Sequence, residues 1–205
     1  MGDEERLGLR ERKKRETRIA LSWAAVRLSV ERGFDNVRVE DIAAEVGVSP
    51  RTFNNYFSSK GEAIAARQLE RVRAIADELR ARPATEPLWE AVENAVLTRF
   101  TLGLDDSSGS DGKWLDGVRL MVAEPALQSE FIRASAAAEA EFAEAVAERT
   151  GTDVTRDLYP KLVAGAVGTA INVATEHWMR EDQPAPMADT LRDALRQLSS
   201  GLPTP

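Results

Sequence analysis

Residues 39–60 read VEDIAAEVGVSPRTFNNYFSSK and specify more of the architecture than any other stretch of the chain. Two short helical patterns meet here at a tight turn. Gly47 stands where the first helix must end in a left-handed conformation, which costs a residue without Cβ the least. Ser49 is a favourable N-cap, and Pro50 has its φ angle preset for a first helical turn. The pattern therefore predicts a helix-turn-helix, with helices over about 39–46 and 50–57.

The second of these helices is predicted to have an apolar and a polar face. At 100° per residue, Phe53 and Phe57 point together toward a core. The residues that point away from the core, or lie on its flanks, are Arg51, Thr52, Asn54, Asn55, Tyr56 and Ser58. Arginine can bond guanine, asparagine can bond adenine, and hydroxyl groups suit phosphate oxygens. The polar face is thus predicted to read DNA; the alternative is an ordinary solvated corner of a helical protein.

The charge around this segment differs from that of the rest of the chain. The 205 residues carry a net charge of -7, yet residues 6–38 hold ten basic and four acidic side chains. Residues 61–205 hold 15 basic and 24 acidic side chains. A basic stretch on an acidic protein indicates a localised contact with a polyanion, although a solvated helix face would give the same pattern.

Apolar residues elsewhere follow the i, i+3, i+4 spacing of helices, so the chain is predicted to be all-α. The further helices are predicted over about 12–32, 61–82, 86–102, 158–180 and 187–198, with two more near Trp114 and from Pro125 onward. The predicted organisation is a disordered extension over residues 1–11, a helix-turn-helix domain over 12–60, a larger helical domain over 61–200 and a frayed tail over 201–205.

Composition excludes several functional classes. Cysteine is absent and His177 is the single histidine, which excludes disulfides, thiolate metal sites and multi-histidine centres. Neither a Gly-x-Ser-x-Gly nor a His-Glu-x-x-His motif is present. No catalytic residue, metal ligand or cofactor is assigned. The longest weakly polar run, residues 162–174, is too short for a membrane span, and no signal peptide is recognisable, so the chain is expected to be cytoplasmic.

Residues 42–53, IAAEVGVSPRTF, and residues 56–60, YFSSK, closely resemble the N-terminal signature of TetR-family transcriptional regulators. The Gly33-Phe34 pair matches this signature as well, and the match covers about residues 12–65. The resemblance implies that three N-terminal helices bind DNA, that the following helices bind an effector, and that two C-terminal helices form a homodimer.

The resemblance also implies contacts at individual positions. Arg51 and Asn55 would face the DNA groove, whereas Thr52 and Tyr56 would touch phosphates. Lys60 would anchor a further phosphate at the beginning of the next helix.

The remaining predicted DNA-binding residues lie on both sides of these positions. The family usually has tyrosine where this chain has Asn54, so either a contact of that tyrosine is lost or Asn54 reads a base. Ser49 belongs to the predicted set. Arg12, Lys13 and Lys14 belong to it as well. They lie in a run that resembles the family's basic arm, which could follow the DNA backbone or enter the adjacent minor groove. The run consists of Arg10, Arg12, Lys13, Lys14, Arg15 and Arg18.

The second half of the chain is predicted to hold an effector pocket and a dimer surface. Residues 119–127, the Ala/Glu-rich stretch after them and residues 165–172 resemble a narrower TetR subgroup associated with acyl-CoA-like ligands, which includes regulators of mycofactocin genes. The predicted pocket residues are Trp89, Phe100, Leu104, Trp114, Val118, Met121, Phe131, Val167 and Ile171, although such stripes also occur in plain helical cores. The predicted dimer residues are Gly165, Gly168, Asn172, Thr175, Leu191 and Leu195.

The function expected from these features is a ligand-responsive, homodimeric repressor. It would release a pseudo-palindromic operator on binding a small apolar effector, for which an acyl-CoA is one candidate. Two alternatives remain: a helical adaptor that binds protein partners and has lost DNA binding, and a small-molecule enzyme. The intact segment from Ser49 to Lys60 disfavours the adaptor.

Overall fold

The computed structural model describes residues 3–104, 120, 124–180 and 186–204, and every element in these ranges is a helix. The predicted all-α class is confirmed. The helices are α1 (Asp3–Arg32), a short 3-10 helix (Phe34–Asn36), α2 (Val39–Val46), α3 (Pro50–Asn54), α4 (Lys60–Ala81), α5 (Leu88–Leu104), α6 (Pro125–Thr150), α7 (Tyr159–Arg180) and α8 (Met187–Ser199). The helix predicted near Trp114 lies outside the described residues.

Helix α1 begins earlier than the sequence predicts. Residues 3–11, expected to be a disordered extension, continue the helix, which is 30 residues long. Two features of the stretch favour this extension. It contains no proline, and its first three residues are acidic, which complements the positive end of the helix dipole.

The chain divides into two compact units. Unit 1 comprises Met1–Leu69 and Asp111–Ala134, and unit 2 comprises Glu70–Ser110 and Ser135–Pro205. The division therefore falls inside α4 and inside α6. The first turns of α4 belong to unit 1 because Ala63, Ile64 and Ala66 are buried in the same core as the helix-turn-helix.

The core of unit 1 is assembled from five helices. Its fully buried large side chains are Leu21 and Leu28 of α1, Ile42 of α2, Phe53 and Phe57 around α3, Ile64 of α4 and Leu127 of α6. Leu127 also fills the space beside Gly61, where an added Cβ would lie only 3.2 Å from a Leu127 methyl carbon. A short α3 is therefore held by packing in a core that it shares with the other helices of the unit, since five residues do not make a stable helix alone.

Unit 2 contains ion pairs between α4 and α6 at a spacing of seven residues. Arg73 bonds Glu141 at 2.6 Å, and Arg80 bonds Glu148 at 2.8 Å. The hydrogen bond that Arg73 donates to Glu141 raises the pKa of Arg73, and the bond that Arg80 donates to Glu148 raises the pKa of Arg80, because each bond favours the charged guanidinium.

Arg149 closes the connection between α4 and α5 inside unit 2. Its guanidinium donates to the carbonyl oxygens of Arg82 at 3.3 Å, Pro83 at 2.6 Å and Glu86 at 2.6 Å. These carbonyls follow the end of α4, where backbone acceptors have no helical partner. We therefore expect Arg149→Met to lower the free energy of unfolding by about 1–3 kcal/mol. The midpoint of urea unfolding at constant slope measures this change.

Arg156 provides the matched control for Arg149. It is also an arginine of unit 2, but its side chain is exposed and its described partner is Asp153 in the same turn. Arg156→Met should leave the unfolding midpoint nearly unchanged. Equal destabilisation by both substitutions would show that the carbonyl contacts of Arg149 contribute nothing.

Glu86, in the same connection between α4 and α5, makes a pH-dependent contribution to the free energy of unfolding. Hydrogen bonds from Arg82 and Asn94, with the charges of Arg82 and Arg149, lower the pKa of Glu86 to about 2. Because this value lies below the ordinary 4.5, the stabilisation is complete above about pH 4.5 and is lost as the pH falls toward 2. Glu86→Gln should flatten the pH dependence of urea unfolding in that window, and a profile as steep as that of the parent protein would contradict this expectation.

Candidate nucleic-acid interface

The turn between α2 and α3 has the geometry that residues 39–60 predict. Gly47 is left-handed, with φ 73° and ψ 30°, which a residue with a side chain adopts only under strain. Its N–H donates to the Ala44 carbonyl at 3.0 Å, and the Val48 N–H donates to the Ala43 carbonyl at 2.9 Å. This bonding pattern is a Schellman motif, and it satisfies the last carbonyls of α2.

Helix α3 is capped as predicted but is shorter than predicted. The Ser49 hydroxyl oxygen accepts a bond from the Thr52 N–H at 3.1 Å, with Pro50 in the first turn. The helix ends at Asn54, and not near Phe57. The Asn55 N–H donates to the Thr52 carbonyl at 3.1 Å, only three residues back, which is the bonding of a 3-10 turn and not of an α-helix.

The predicted separation of α3 into two faces is confirmed. Phe53 and Phe57 are 0% and 1% exposed, and their ring centroids lie 5.6 Å apart. We call Arg51, Asn54 and Asn55 the reading face; all three side chains are exposed.

The flanks of α3 hold hydroxyl groups whose bonding differs. Thr52 and Tyr56 are half-buried beside the reading face, whereas Ser58 is exposed. The Ser58 hydroxyl and N–H both donate to the Glu62 carboxylate, at 2.8 and 2.7 Å. The polar surface of this region is therefore partly ordered by bonds within the chain.

Lys60 has an internal role that the sequence did not indicate. Its Nζ donates to the carbonyl oxygens of Phe34 and, at 2.9 Å, Val37, and lies 4.0 Å from the centre of the Phe34 ring. An ammonium group has three donors, so at most one remains for a phosphate. The predicted phosphate anchor thus also holds the 3-10 helix that precedes α2.

The basic residues predicted as an arm are part of a helix. Arg12, Lys13 and Lys14 are exposed on α1, and Arg12 lies 3.5 Å from Glu16. A helix about 10 Å wide does not enter a minor groove about 6 Å wide. This width suits contact along the phosphate backbone better than insertion into the minor groove, and the contact of these residues with DNA stays a prediction.

The predicted effector residues are divided between the two units. Trp89, Phe100, Val167 and Ile171 belong to unit 2, whereas Phe131 belongs to unit 1. Phe100, Val167 and Ile171 are buried, and Trp89 and Phe131 are half-buried. Trp114, Val118 and Met121 lie outside the described residues, and so does the side chain of Leu104. Burial on this scale suits a packed core as well as a ligand pocket, so the pocket stays a prediction.

Several predicted dimer residues are covered by the chain itself, and the dimer surface stays a prediction. Leu191 and Leu195 of α8 are 0% and 2% exposed, and Thr175 is buried and bonds the Ile171 carbonyl at 2.7 Å. Side chains without exposed surface offer nothing for a second chain to bury. Gly168 faces α6, because a Cβ added to it would lie 3.5 Å from the Glu139 carboxylate.

The exposed side of α7 instead carries apolar residues that the sequence analysis did not select. Leu162 is 65% exposed and Val173 is 58% exposed. At 100° per residue they share one face of the helix with Gly165 and Asn172, two of the predicted dimer residues. Helix α7 therefore stays a candidate for the dimer surface, and its exposed face, with Leu162 and Val173, is the part that a second chain could cover.

In residues 3–104, 120, 124–180 and 186–204, no group of three or more potential ligands could hold a metal ion. No helix in the described part of the chain is long and apolar enough to cross a membrane.

Two residues of unit 1 were not identified as important by sequence reasoning. Leu127 completes the core, but its spacing resembles that of any helical apolar residue. Arg18 was one charge in a basic run, although its place one turn before the buried Leu21 and Ser22 is a signal that it packs inward.

Comparison with family models gives two matches. Residues 23–66 match the model of the bacterial regulatory proteins of the tetR family, and residues 86–203 match the MftR C-terminal domain. Together they include the whole of α2, α3, α5, α6, α7 and α8.

Two similar proteins are transcriptional regulators. The HTH-type transcriptional regulator TcmR of Streptomyces glaucescens is 34% identical over 83% of this chain and 76% of its own length. The protein named as the mycofactocin biosynthesis transcriptional regulator MftR of Mycobacterium tuberculosis is 28% identical over 98% of both chains.

Solved structures share the fold. FadR of Thermus thermophilus, solved in complex with lauroyl-CoA, is 22% identical, covers 92% of this chain and 96% of its own, and has a TM-score of 0.58. FadR of Bacillus halodurans has a TM-score of 0.59 at 16% identity, over 91% of this chain and 96% of its own. TetR-family proteins are ligand-responsive, DNA-binding repressors that act as dimers, and not enzymes. With both halves of its sequence matched, this chain belongs to the TetR family of bacterial transcriptional regulators and carries a C-terminal domain of the MftR type.

Proposed function

We propose that this chain is a homodimeric repressor that binds a pseudo-palindromic operator and releases it when a small apolar effector of the acyl-CoA class binds. The observation that carries the proposal is the reading face. Arg51, Asn54 and Asn55 stand exposed together on a helix whose opposite side is fixed in the core by Phe53 and Phe57.

The chemistry of the reading face supports major-groove recognition. Arginine donates to guanine O6 and N7 as a pair, and asparagine matches the donor and acceptor of adenine. Lys13 and Lys14 on α1 supply positive charge for the phosphates, which fixes register without reading sequence. A half-site containing guanine and adenine is therefore expected.

The outer face of α7 supports dimerisation. Leu162 and Val173 are large, apolar and exposed, and Gly165 between them allows close approach of a second helix. In a two-fold dimer the same surface would meet itself, which places two reading faces on half-sites related by the same axis. Leu162→Glu combined with Val173→Glu should give a monomer in sedimentation velocity, and a dimer that persists would exclude this face.

One protein of similar fold supports the effector class. FadR of Thermus thermophilus was solved in complex with lauroyl-CoA. Release requires that the effector bind the DNA-incompetent state more tightly than the DNA-bound state, since equal affinity shifts no equilibrium. By linkage, operator DNA must weaken effector binding by the same factor.

The decisive experiment is fluorescence anisotropy with the DNA upstream of the gene that encodes this chain, against random duplex, over a salt titration with and without lauroyl-CoA. We expect tight, sequence-selective and salt-sensitive binding to the upstream fragment. Release by lauroyl-CoA would support the effector class. Binding without release would leave the repressor and reject this effector.

A negative result needs a second step before the repressor is rejected. If no upstream fragment is selected, enrichment of genomic fragments tests for a distant operator. Failure of that enrichment would favour the adaptor, which binds protein partners and no DNA.

A further inference from the structure

Arg18 of α1 contacts the chain directly after the recognition helix α3. Its Nη1 donates to the Tyr56 carbonyl at 2.9 Å. This carbonyl lies just beyond the end of α3, where backbone acceptors lack helical donors and a positive charge is favourable. Arg18 therefore bonds the segment that determines how α3 leaves the turn.

The rest of the Arg18 side chain is directed inward. Its guanidinium carbon lies 4.4 Å from the centre of the Phe57 ring, and the side chain is half-buried. Its Nε is buried, and the described residues offer it no acceptor. A side chain that reached for phosphate would keep its donors in water, whereas this one gives up hydration to sit against a core aromatic ring.

Lys14, one turn earlier on the same helix, shows the contrast. Its side chain is exposed. The two cations belong to one basic run in sequence, but the structure separates them into a surface charge and a packed one.

We infer that Arg18 is a positioning residue for DNA recognition and not a phosphate ligand. It fixes the end of α3 through Tyr56 and Phe57, and thereby the direction of Asn54 and Asn55. This inference rests on the proposed function, because it assigns Arg18 a role in operator selectivity.

The test compares Arg18→Gln with Lys14→Gln, which removes the same charge one turn away. Arg18→Gln should lose at least about tenfold in operator affinity, with random-duplex affinity and the salt slope unchanged. Lys14→Gln should weaken binding to both duplexes alike and flatten the salt slope by about one. A flattened slope in Arg18→Gln would identify a phosphate ligand and overturn the inference.

Arg18→Lys distinguishes a lost contact from unfolding of the Arg18→Gln variant. Lysine keeps the cation over Phe57 and one donor for the Tyr56 carbonyl, so it should recover part of the lost selectivity. Selectivity no better than that of Arg18→Gln, at an unchanged melting temperature, would contradict the role assigned to the cation.

Hydrogen exchange separates this inference from the proposed function. Amides of residues 54–58 should exchange faster in Arg18→Gln than in the parent protein or in Lys14→Gln, whether or not DNA is bound. If the parent protein selects no duplex, the proposed function fails, while faster exchange still supports the contact. Unchanged exchange overturns the inference even where DNA binding is intact.

Discussion

Phe53→Ala should lower the free energy of unfolding of unit 1 by about 3–5 kcal/mol, the largest stability loss expected from any substitution proposed for this protein. Phe53 has no exposed surface and packs against Phe57 in the core that joins α3 to the other helices of the unit. Removing the ring leaves a cavity that a helix of five residues cannot collapse to fill.

A loss of this size is a large part of the stability of an ordinary domain, about 5–15 kcal/mol. We therefore expect Phe53→Ala to lose operator binding through loss of structure, although Phe53 itself faces away from DNA. Urea unfolding followed by circular dichroism measures the stability, and anisotropy measures the binding.

Asn54→Ala is the matched control at the next position. Asn54 is exposed, so its truncation should leave the unfolding midpoint nearly unchanged while it weakens or alters operator binding. A destabilisation of Asn54→Ala as large as that of Phe53→Ala would mean that the two faces of α3 are assigned the wrong way round.

Arg51→Ala should weaken operator binding by about 1–3 kcal/mol, or up to about 150-fold, and relax the preference for one base pair. Arg51 is exposed in the first turn of α3, where recognition helices place their base-contacting residues. Binding to random duplex should change much less, because a base contact contributes only where the matching base is present. Anisotropy on the operator and on its single-base variants measures both effects.

Lys13→Ala removes an exposed positive charge of α1 and serves as the comparison for Arg51→Ala. It should weaken binding to operator and random duplex by the same factor and flatten the salt slope by about one. If both variants lost affinity for both duplexes equally, the distinction between base-reading and phosphate-contacting residues would be wrong.

Most of the helix-turn-helix is predictable from residues 39–60, because each of its signals is local. A glycine with positive φ, a serine N-cap and a proline in the first turn act within a few residues of their own positions. The alternation of Phe53 and Phe57 with polar residues likewise needs only the helical period.

The features that the sequence did not predict depend either on closely balanced local bonds or on partners far along the chain. Helix α3 ends early because of bonds in its last turn, which compete closely with a further helical turn. Arg18 was grouped with exposed cations because its distance from Tyr56 and Phe57 in the fold cannot be read from charge. Leu191 and Leu195 were assigned to a dimer because a buried apolar stripe has the same pattern whether its partner is the same chain or another.

Leu127 limits how the DNA-binding domain of this protein could be exchanged between regulators. The DNA-binding core takes one of its buried side chains from α6, far outside the segment that matches the family's N-terminal model. A hybrid regulator that joined residues 1–69 to a foreign sensor would carry a hole beside Gly61, and losing a buried leucine to alanine alone costs about 2–5 kcal/mol. A working hybrid therefore requires either a helix of the recipient protein that supplies an equivalent leucine, or the transfer of residues 124–134 together with residues 1–69.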